Sequence, residues 1–457
     1  MTQTEQQVDV VVIGMGPGGE EVAGRLAEAG LSVVGVEREL VGGECPYWGC
    51  VPSKMIIRGA NLLAETRRID KVSGKATVSP DLGIVARRIR DEATDNWDDK
   101  VAADRFVSKG GQLVRGDAKL DGPGRVIVGD HAFTASRGVV LATGSAPVIP
   151  PLNGLAEARH WTNREAISAT TAPESLAVLG AGAVGLELAQ AFSRFGSQVT
   201  VIEAMDRVLP PEEPEASEVI GRVLRAEGIE LWLGLRATRV ERKDDHVNLW
   251  LDNGTKVRAG ELLVSVGRRA RVAEIGVDTV GLDPTARAIA VDEWMRAGDG
   301  LWAVGDVTGI GPFTHMAMYQ AGIAIADILG KRDQPADYRG LSRVTFTDPE
   351  VGSVGLTERA AREAGLPVRT GISQVSSSAR GWIHGPGNEG FIKLVEDADR
   401  GVLVGATSAG PVGGEVLSAL AVAVHAAVPV ETLRHMIYAY PTFHRGIEDA
   451  LRDLTAG

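Results

Sequence analysis

The sequence predicts an α/β protein with two doubly wound units of parallel sheet and a third, C-terminal α+β domain, and three observations carry that expectation. A glycine-rich turn framed by strand, helix and strand lies near the N-terminus; the same arrangement returns at Gly180; and after Leu341 the pattern changes to strand-like runs without such turns. The length of 457 residues agrees, because a single core stops growing well below that size and two to four domains are expected.

The first unit opens with the apolar run Asp9 to Ile13, followed by Gly14-Met15-Gly16-Pro17-Gly18-Gly19. A helical pattern through Val22, Leu26 and Ala27 follows, then a second apolar run from Leu31 to Val36 that ends at Glu37. In such a unit Gly14 and Gly16 let the backbone turn and approach a pyrophosphate at a helix N-terminus. Gly19 permits close helix packing, and Glu37 accepts hydrogen bonds from ribose hydroxyls. The second unit runs from Ser175 to Leu179, through Gly180-Ala181-Gly182-Ala183-Val184-Gly185 and a helix carrying Leu188 and Phe192, to the strand Gln198–Ile202 ending at Glu203. Both units therefore read as Rossmann-like dinucleotide-binding folds. The Glu203 carboxylate bonds a free 2′-hydroxyl but repels a 2′-phosphate, which favours NADH, while Arg207 lies close enough to keep NADPH open.

Three further glycine-containing segments follow strand-like runs: Val139 to Gly144, Leu262 to Gly267, and Leu301 to Asp306. They read as domain crossings. From Leu341 onward, Val344 to Thr347, Phe391 to Val395 and Val402 to Ala406 read as strands, with helices after Gly414 and Pro429, which predicts an antiparallel α+β domain. The Arg87 to Lys109 region alternates charges, with Ile89, Trp97 and Val101 at helical spacing, and reads as a solvated helix.

A formal net charge of −12 argues against nucleic acid or an anionic membrane as the main partner and for a small molecule. The N-terminus lacks the basic start and apolar stretch of a signal peptide. The longest later apolar run, Ala419 to Val430, is too short for a membrane span and contains His425, so a cytoplasmic location is the default expectation. Only two cysteines occur, Cys45 and Cys50, in Gly-Gly-Glu-Cys-Pro-Tyr-Trp-Gly-Cys-Val-Pro-Ser-Lys. Closing so short a loop restricts the unfolded chain little, and zinc would need two further ligands. A catalytic pair is therefore preferred and no metal site is expected.

With both glycine turns, the cysteine pair and Gly305-Asp306 in place, the sequence resembles the flavoprotein disulfide reductases, a family that includes dihydrolipoamide dehydrogenase, glutathione reductase and mercuric reductase. The resemblance covers nearly the whole chain. It implies an FAD-binding domain over residues 1–150 and 269–338, an NAD(P)H-binding domain over 151–268, and a C-terminal domain over 339–457 that forms a homodimer. Gly14, Gly16, Gly19 and Glu37 then bind the adenosine diphosphate half of FAD, Asp306 bonds the ribityl chain with Gly305 giving that loop room, and Thr143, Gly144 and Gly267 join the cofactor-binding residues. Cys45 matches the interchange thiol, and Cys50 the thiol that faces the flavin as a thiolate. The helix start expected after Cys50 supplies N–H groups that stabilise that charge. Lys54 and Glu187 match an ion pair held beside the flavin. The implied function is hydride transfer from NAD(P)H through FAD and the Cys45–Cys50 disulfide to a small acceptor.

The pattern breaks near the C-terminus. Family members with disulfide substrates carry His-Pro-Thr-x-x-Glu, whereas this chain has Tyr440-Pro441-Thr442-Phe443-His444-Arg445. A phenol of pKa about 10 is already protonated near neutrality and cannot take a thiol proton as imidazole does. General acid–base assistance contributes roughly 10² to 10⁴ in rate. The expectation is accordingly a less common acceptor, such as a quinone, which needs no thiol base, another small electrophile or a specialised disulfide. Tyrosine at this position resembles mercuric reductase, yet that enzyme's C-terminal cysteine pair is missing here, so a mercuric-ion or dihydrolipoamide-type role is the alternative. His444, four residues beyond Tyr440, is a candidate replacement base one helical turn away. An alternative of another class is a low-turnover flavin- or nucleotide-binding redox sensor.

Overall fold

The computed structural model describes residues 4–454. The chain divides into two compact units, each assembled from separate stretches. One comprises the chain up to Ser53 with Arg87–Val148 and Arg268–Asp337; the other comprises Lys54–Ala86, Ile149–Gly267 and the chain from Tyr338 onward.

In the first unit the strand Thr4–Ile13 pairs in parallel with Val33–Glu37 on one side and with His131–Leu141 on the other. The sheet continues outward to Gln112–Arg115 at one end and through Leu301–Ala303 to Arg296–Gly298 at the other. Val10, Val11 and Val12 are fully buried, because the strand is covered on both faces, and so it reads as an unbroken apolar run rather than an alternating one. Strand order reverses about Thr4–Ile13, and such a reversal opens a crevice beyond the carboxyl ends of the two diverging strands, where ligands bind in open α/β sheets. Gly14 follows one of those ends and Ala142 to Gly144 the other.

The second unit repeats the plan on a smaller scale. Ser175–Leu179 pairs in parallel with Gln198–Glu203, which pairs with Glu230–Leu233, and on its other side with Glu261–Val264. An antiparallel sheet of Ala237–Lys243, His246–Leu251 and Lys256–Ala259 lies alongside and shares its core through Val247, Leu249, Leu179 and Leu262. From Ser342 onward a five-stranded antiparallel sheet has the order Ser342–Thr345, Glu350–Gly355, Val402–Gly410, Phe391–Asp397, Val368–Gln374. Helices Gly413–His425 and Gly446–Asp453 bury Leu417, Leu420, Ile447 and Leu451 against Ile392, Leu394 and Leu403. Two strands of this sheet, Glu350–Gly355 and Val368–Gln374, are absent from the sequence reading. Both carry glycines where a helix backbone approaches: a Cβ on Gly371 would lie 2.2 Å from Ala450 O.

One sequence expectation is corrected here. Arg87 to Lys109 is not a single helix: Leu82–Arg88 passes into a π-helical turn, Ile89–Ala93, and helix resumes only at Lys100–Ser108. Asp95, Asn96 and Trp97 all take positive φ, so Trp97 leaves the helical face on which its spacing placed it.

Candidate active site

The three glycines of each turn have distinct reasons to be glycine. At the first turn, a Cβ on Gly14 would lie 2.4 Å from Ala142 O, and one on Gly19 would lie 1.9 Å from Gly14 O. Both are excluded by packing of the chain on itself. Gly16 is different, since its nearest neighbour would be the Gly43 Cα at 4.0 Å. The second turn has the same arrangement: Gly180 would meet Ser265 O at 2.5 Å and Gly185 would meet Gly180 O at 2.3 Å, whereas Gly182 faces open space. The helices Pro17–Glu28 and Ala183–Arg194 begin directly after Gly16 and Gly182 with no side-chain cap. Uncapped N–H groups at a bare, accessible backbone fit a pyrophosphate, which supplies the missing acceptors and the negative charge that a helix N-terminus favours.

The acidic residues that end the second strand of each unit are also equivalent. Glu37 accepts from Met15 N–H (2.7 Å) and Glu39 N–H (2.8 Å), and Glu203 from Ala181 N–H (2.7 Å) and Met205 N–H (2.8 Å). Each carboxylate therefore fixes its glycine turn and keeps further lone pairs for a ribose hydroxyl. Arg207 donates to Pro210 O at 2.5 Å and to Ser217 Oγ at 3.3 Å, which ties its guanidinium to its own loop and to the helix Pro214–Ala226.

The crossing segments have defined partners. Thr143 Oγ1 donates to Arg271 O at 2.9 Å, while Gly144 and Gly267 have φ of 67° and 127° with open space where a Cβ would stand. The Gly305 N–H donates to the buried Gln320 Oε1 at 2.7 Å. Asp306 Oδ2 accepts from Ser145 Oγ at 2.6 Å, and Ser145 Oγ in turn accepts from Arg268 Nε at 2.8 Å. Ser145 and Arg268 thus orient Asp306, and neither is marked by any local motif.

The cysteine segment rests on the first glycine turn. Gly42 N–H donates to Met15 O at 2.7 Å, and a Cβ on Gly43 would come within 2.8 Å of the Gly16 Cα. Cys45 sits in the single-turn helix Glu44–Tyr47, and Cys50 is the first residue of the helix Cys50–Arg68. Burial, with the charges of Asp99 and Glu20, raises the pKa of the neighbouring Tyr47 phenol. The Cys50 Sγ lies 3.3 Å from Thr314 Oγ1, a contact across 264 positions of sequence that no spacing could reveal.

Lys54 Nζ pairs with Glu187 Oε2 at 2.9 Å, and the buried Glu187 accepts the Phe346 N–H on Oε1 at 2.8 Å. The ammonium also lies 4.5 Å from the Phe346 ring centroid, a favourable cation–π geometry. Further along the same helix face, Gln190 bonds both the N–H and the C=O of Asp348 at 2.8 Å, and Arg194 reaches Asp348 Oδ2 at 2.7 Å. Residues 187, 190 and 194 thereby hold the segment Phe346 to Asp348 in place. Burial alone would raise the Asp348 carboxyl pKa, but the charges of Arg194 and Arg68 outweigh it and hold the group below the usual carboxylate range.

At the C-terminus, Tyr440 is 70% exposed, with the Arg445 guanidinium 5.5 Å from its ring centroid. Arg445 is paired with Glu448 at 3.0 Å, and His444 Nε2 lies 3.4 Å from Thr442 Oγ1. His444 does not stand one helical turn above Tyr440: residues 440 to 445 form a turn, and helix begins only at Gly446. Pro441 supplies no N–H for a helix through this stretch. Among the described residues, no group of His, Cys, Asp or Glu could hold a metal ion, and no helix is long and apolar enough to cross a membrane.

Residues 8–321 match the family described as pyridine nucleotide-disulphide oxidoreductase, and residues 341–451 match the dimerisation domain of that family. The chain is 34% identical over 458 residues to dihydrolipoyl dehydrogenase of Chlorobaculum tepidum, covering 98% of this chain and 97% of that one. It is 31% identical over 466 residues to mercuric reductase of Streptomyces lividans, covering 100% and 98%. Among solved structures, LpdA from Mycobacterium tuberculosis aligns with a TM-score of 0.85 at 27% identity, over 98% of this chain and 100% of that chain. The HOCl-induced flavoprotein disulfide reductase RclA from Escherichia coli aligns with a TM-score of 0.86 at 24% identity over 98% and 99%, a likeness of fold.

Proposed function

The chain belongs to the pyridine nucleotide-disulphide oxidoreductase family, and on that premise we propose that it carries electrons from NAD(P)H to a small acceptor such as a quinone, another electrophile or a specialised disulfide. Members of the family bind FAD and NAD(P)H, and the dimerisation domain supports a homodimer. FAD, when bound, supplies a carrier able to accept hydride from nicotinamide and to release electrons to an acceptor. In this reading Gly16 and Gly182 admit the two pyrophosphates, Glu37 and Glu203 orient the riboses, and Asp306, held by Ser145 and Arg268, orients the ribityl chain. The Lys54–Glu187 pair, steadied by Phe346, presents a fixed cation where negative charge develops.

The observation that carries the choice of acceptor is the turn at 440 to 445. An exposed phenol and an arginine already paired with Glu448 occupy the positions of the family's imidazole–carboxylate dyad. A dithiol substrate therefore meets neither member of that dyad there, whereas a quinone accepts hydride or electrons without thiol base assistance. A mercuric-ion role is the second reading, favoured by Tyr440 and by the Streptomyces relative; with only two cysteines in the chain, no second thiol pair is present to deliver the ion.

The test is steady-state oxidation of NADH and NADPH with lipoamide, glutathione disulfide, quinones and mercuric ion offered as separate acceptors. Quinone turnover about 10²-fold or more above lipoamide and glutathione disulfide is expected, the lower end of what an acid–base partner contributes. Comparable lipoamide turnover would remove the proposal. Tight nucleotide binding with no turnover on any acceptor would point instead to a sensor.

A further inference from the structure

We infer that Trp97 is a positioning residue for the Cys45–Cys50 pair and sets how readily that pair is reduced. The inference rests on the reading of these two thiols as the redox pair.

Two departures from regular backbone lead to Trp97. The π-helical turn Ile89–Ala93 is followed, after Thr94, by three successive residues in the left-handed region: Asp95, Asn96 and Trp97, with φ of 46°, 55° and 57°. Asparagine and aspartate tolerate that region, but a bulky aromatic residue there is an outlier, and such conformations persist where surrounding contacts over-determine them. Those contacts fall on the cysteine segment. The Trp97 indole stacks on Trp48, with ring centroids 5.3 Å apart and 20° between planes. Its Nε1–H donates to Tyr47 O at 3.3 Å. Two residues further on, the buried Asp99 accepts the Val41 N–H at 2.6 Å and pairs with Arg115 at 2.7 Å. One loop, residues 94 to 99, thus grips the chain on both sides of Cys45.

Reduction breaks one Sγ–Sγ bond, takes two electrons, supplied in the enzyme by NAD(P)H, and leaves two sulfurs that take up a proton each or remain as thiolate. Once that bond is broken, only non-covalent contacts keep Cys45 near Cys50. The Trp48–Trp97 stack orders the Cys45 arm in the dithiol as well, so re-forming the bond loses less chain entropy and the thiols meet at higher effective concentration. Higher effective concentration favours the disulfide. The clamp therefore makes the pair harder to reduce and its dithiol a stronger reductant.

The test uses holoenzyme equilibrated anaerobically with dithiothreitol redox buffers, in which the dithiol closes to its cyclic disulfide and supplies two electrons and two protons. Thiols are trapped with maleimide and counted by mass, unambiguously because the chain has only two cysteines. Wild-type protein passing from no thiols to two in one step supports the redox-pair reading, and no such step removes that reading with everything built on it. Given the step, Trp97→Ala is expected to shift the equilibrium about tenfold toward dithiol, equivalent to about 30 mV more positive. Trp97→Phe, which keeps a ring but loses the N–H to Tyr47 O, is expected to shift it about threefold in the same direction, and it decides the matter if the alanine variant does not fold. Shifts below about twofold, or toward the disulfide, would overturn the role of Trp97 while leaving the redox pair intact.

Discussion

Replacing Thr314 by valine is expected to destabilise the Cys50 thiolate and so to raise the pKa of that thiol. The hydroxyl oxygen lies 3.3 Å from Sγ, and the hydroxyl donates to the sulfur once it is a thiolate. Hydrogen bonds to charged groups contribute about 1.5 to 3 kcal/mol. Cys50 is exposed, so water replaces part of the lost interaction and the lower end, about 1.5 kcal/mol, applies. The sign follows from the state that is stabilised: a donor to the thiolate lowers the pKa, and removing it raises the value. Valine matches threonine in shape, so the start of the helix Thr314–Ile328 is preserved. The assay is the pH dependence of iodoacetamide alkylation at Cys50 in the reduced holoenzyme, separated from Cys45 by peptide mass. A Thr314→Val midpoint unchanged or lowered would refute the assignment, and Thr314→Ser should restore the wild-type value.

The two kinds of glycine respond oppositely to a methyl group. Gly182→Ala, with open space around it, should keep its thermal stability yet lose about tenfold in NAD(P)H affinity, whereas Gly185→Ala, 2.3 Å from Gly180 O, should lose about 1–3 kcal/mol of stability; melts and nucleotide titrations separate the effects. Glu203→Gln keeps an acceptor for the Ala181 N–H but removes the charge that disfavours a 2′-phosphate, so the NADH-to-NADPH ratio of kcat/KM should fall by about tenfold. Arg194→Met removes the 2% exposed arginine side chain that pairs Asp348 and Glu227 at 2.7 Å and 2.6 Å, leaving them Arg68 at 2.9 Å and 3.8 Å, and should cost about 3 kcal/mol, the lower end for a broken buried pair, in denaturant unfolding. Because the Asp348 pKa is depressed in the folded state, its contribution is present above the unfolded value of about 3.9 and is lost as pH falls below it. The acid limb of the stability profile should therefore be shallower in Arg194→Met than in wild type.

What the sequence disclosed was the part encoded by short-range pattern. Gly14 and Gly19, with Glu37, announce their turn because packing imposes glycine at fixed spacing, and the copy from Gly180 to Glu203 repeats it. The antiparallel character of the C-terminal domain was legible, but Glu350–Gly355 and Val368–Gln374 were not, because glycines facing helix backbones dilute their strand character. Trp97 was misread since its helical spacing is real while the backbone is not helical. Thr314, Ser145, Arg268 and Phe346 act through contacts remote in sequence, where the neighbouring residues carry no trace of the partner. His444 was placed above Tyr440 by counting residues through a proline that the helix does not include.

The proposal that a quinone takes electrons without thiol base assistance is tested most directly by Cys45→Ser. With NADH and a quinone in steady state, the account predicts that the variant keeps about half or more of the wild-type kcat, while reduction of any disulfide acceptor disappears. Loss of nearly all quinone turnover in a folded, flavin-replete variant would contradict the account and point to a disulfide or metal-ion substrate that reacts at Cys45.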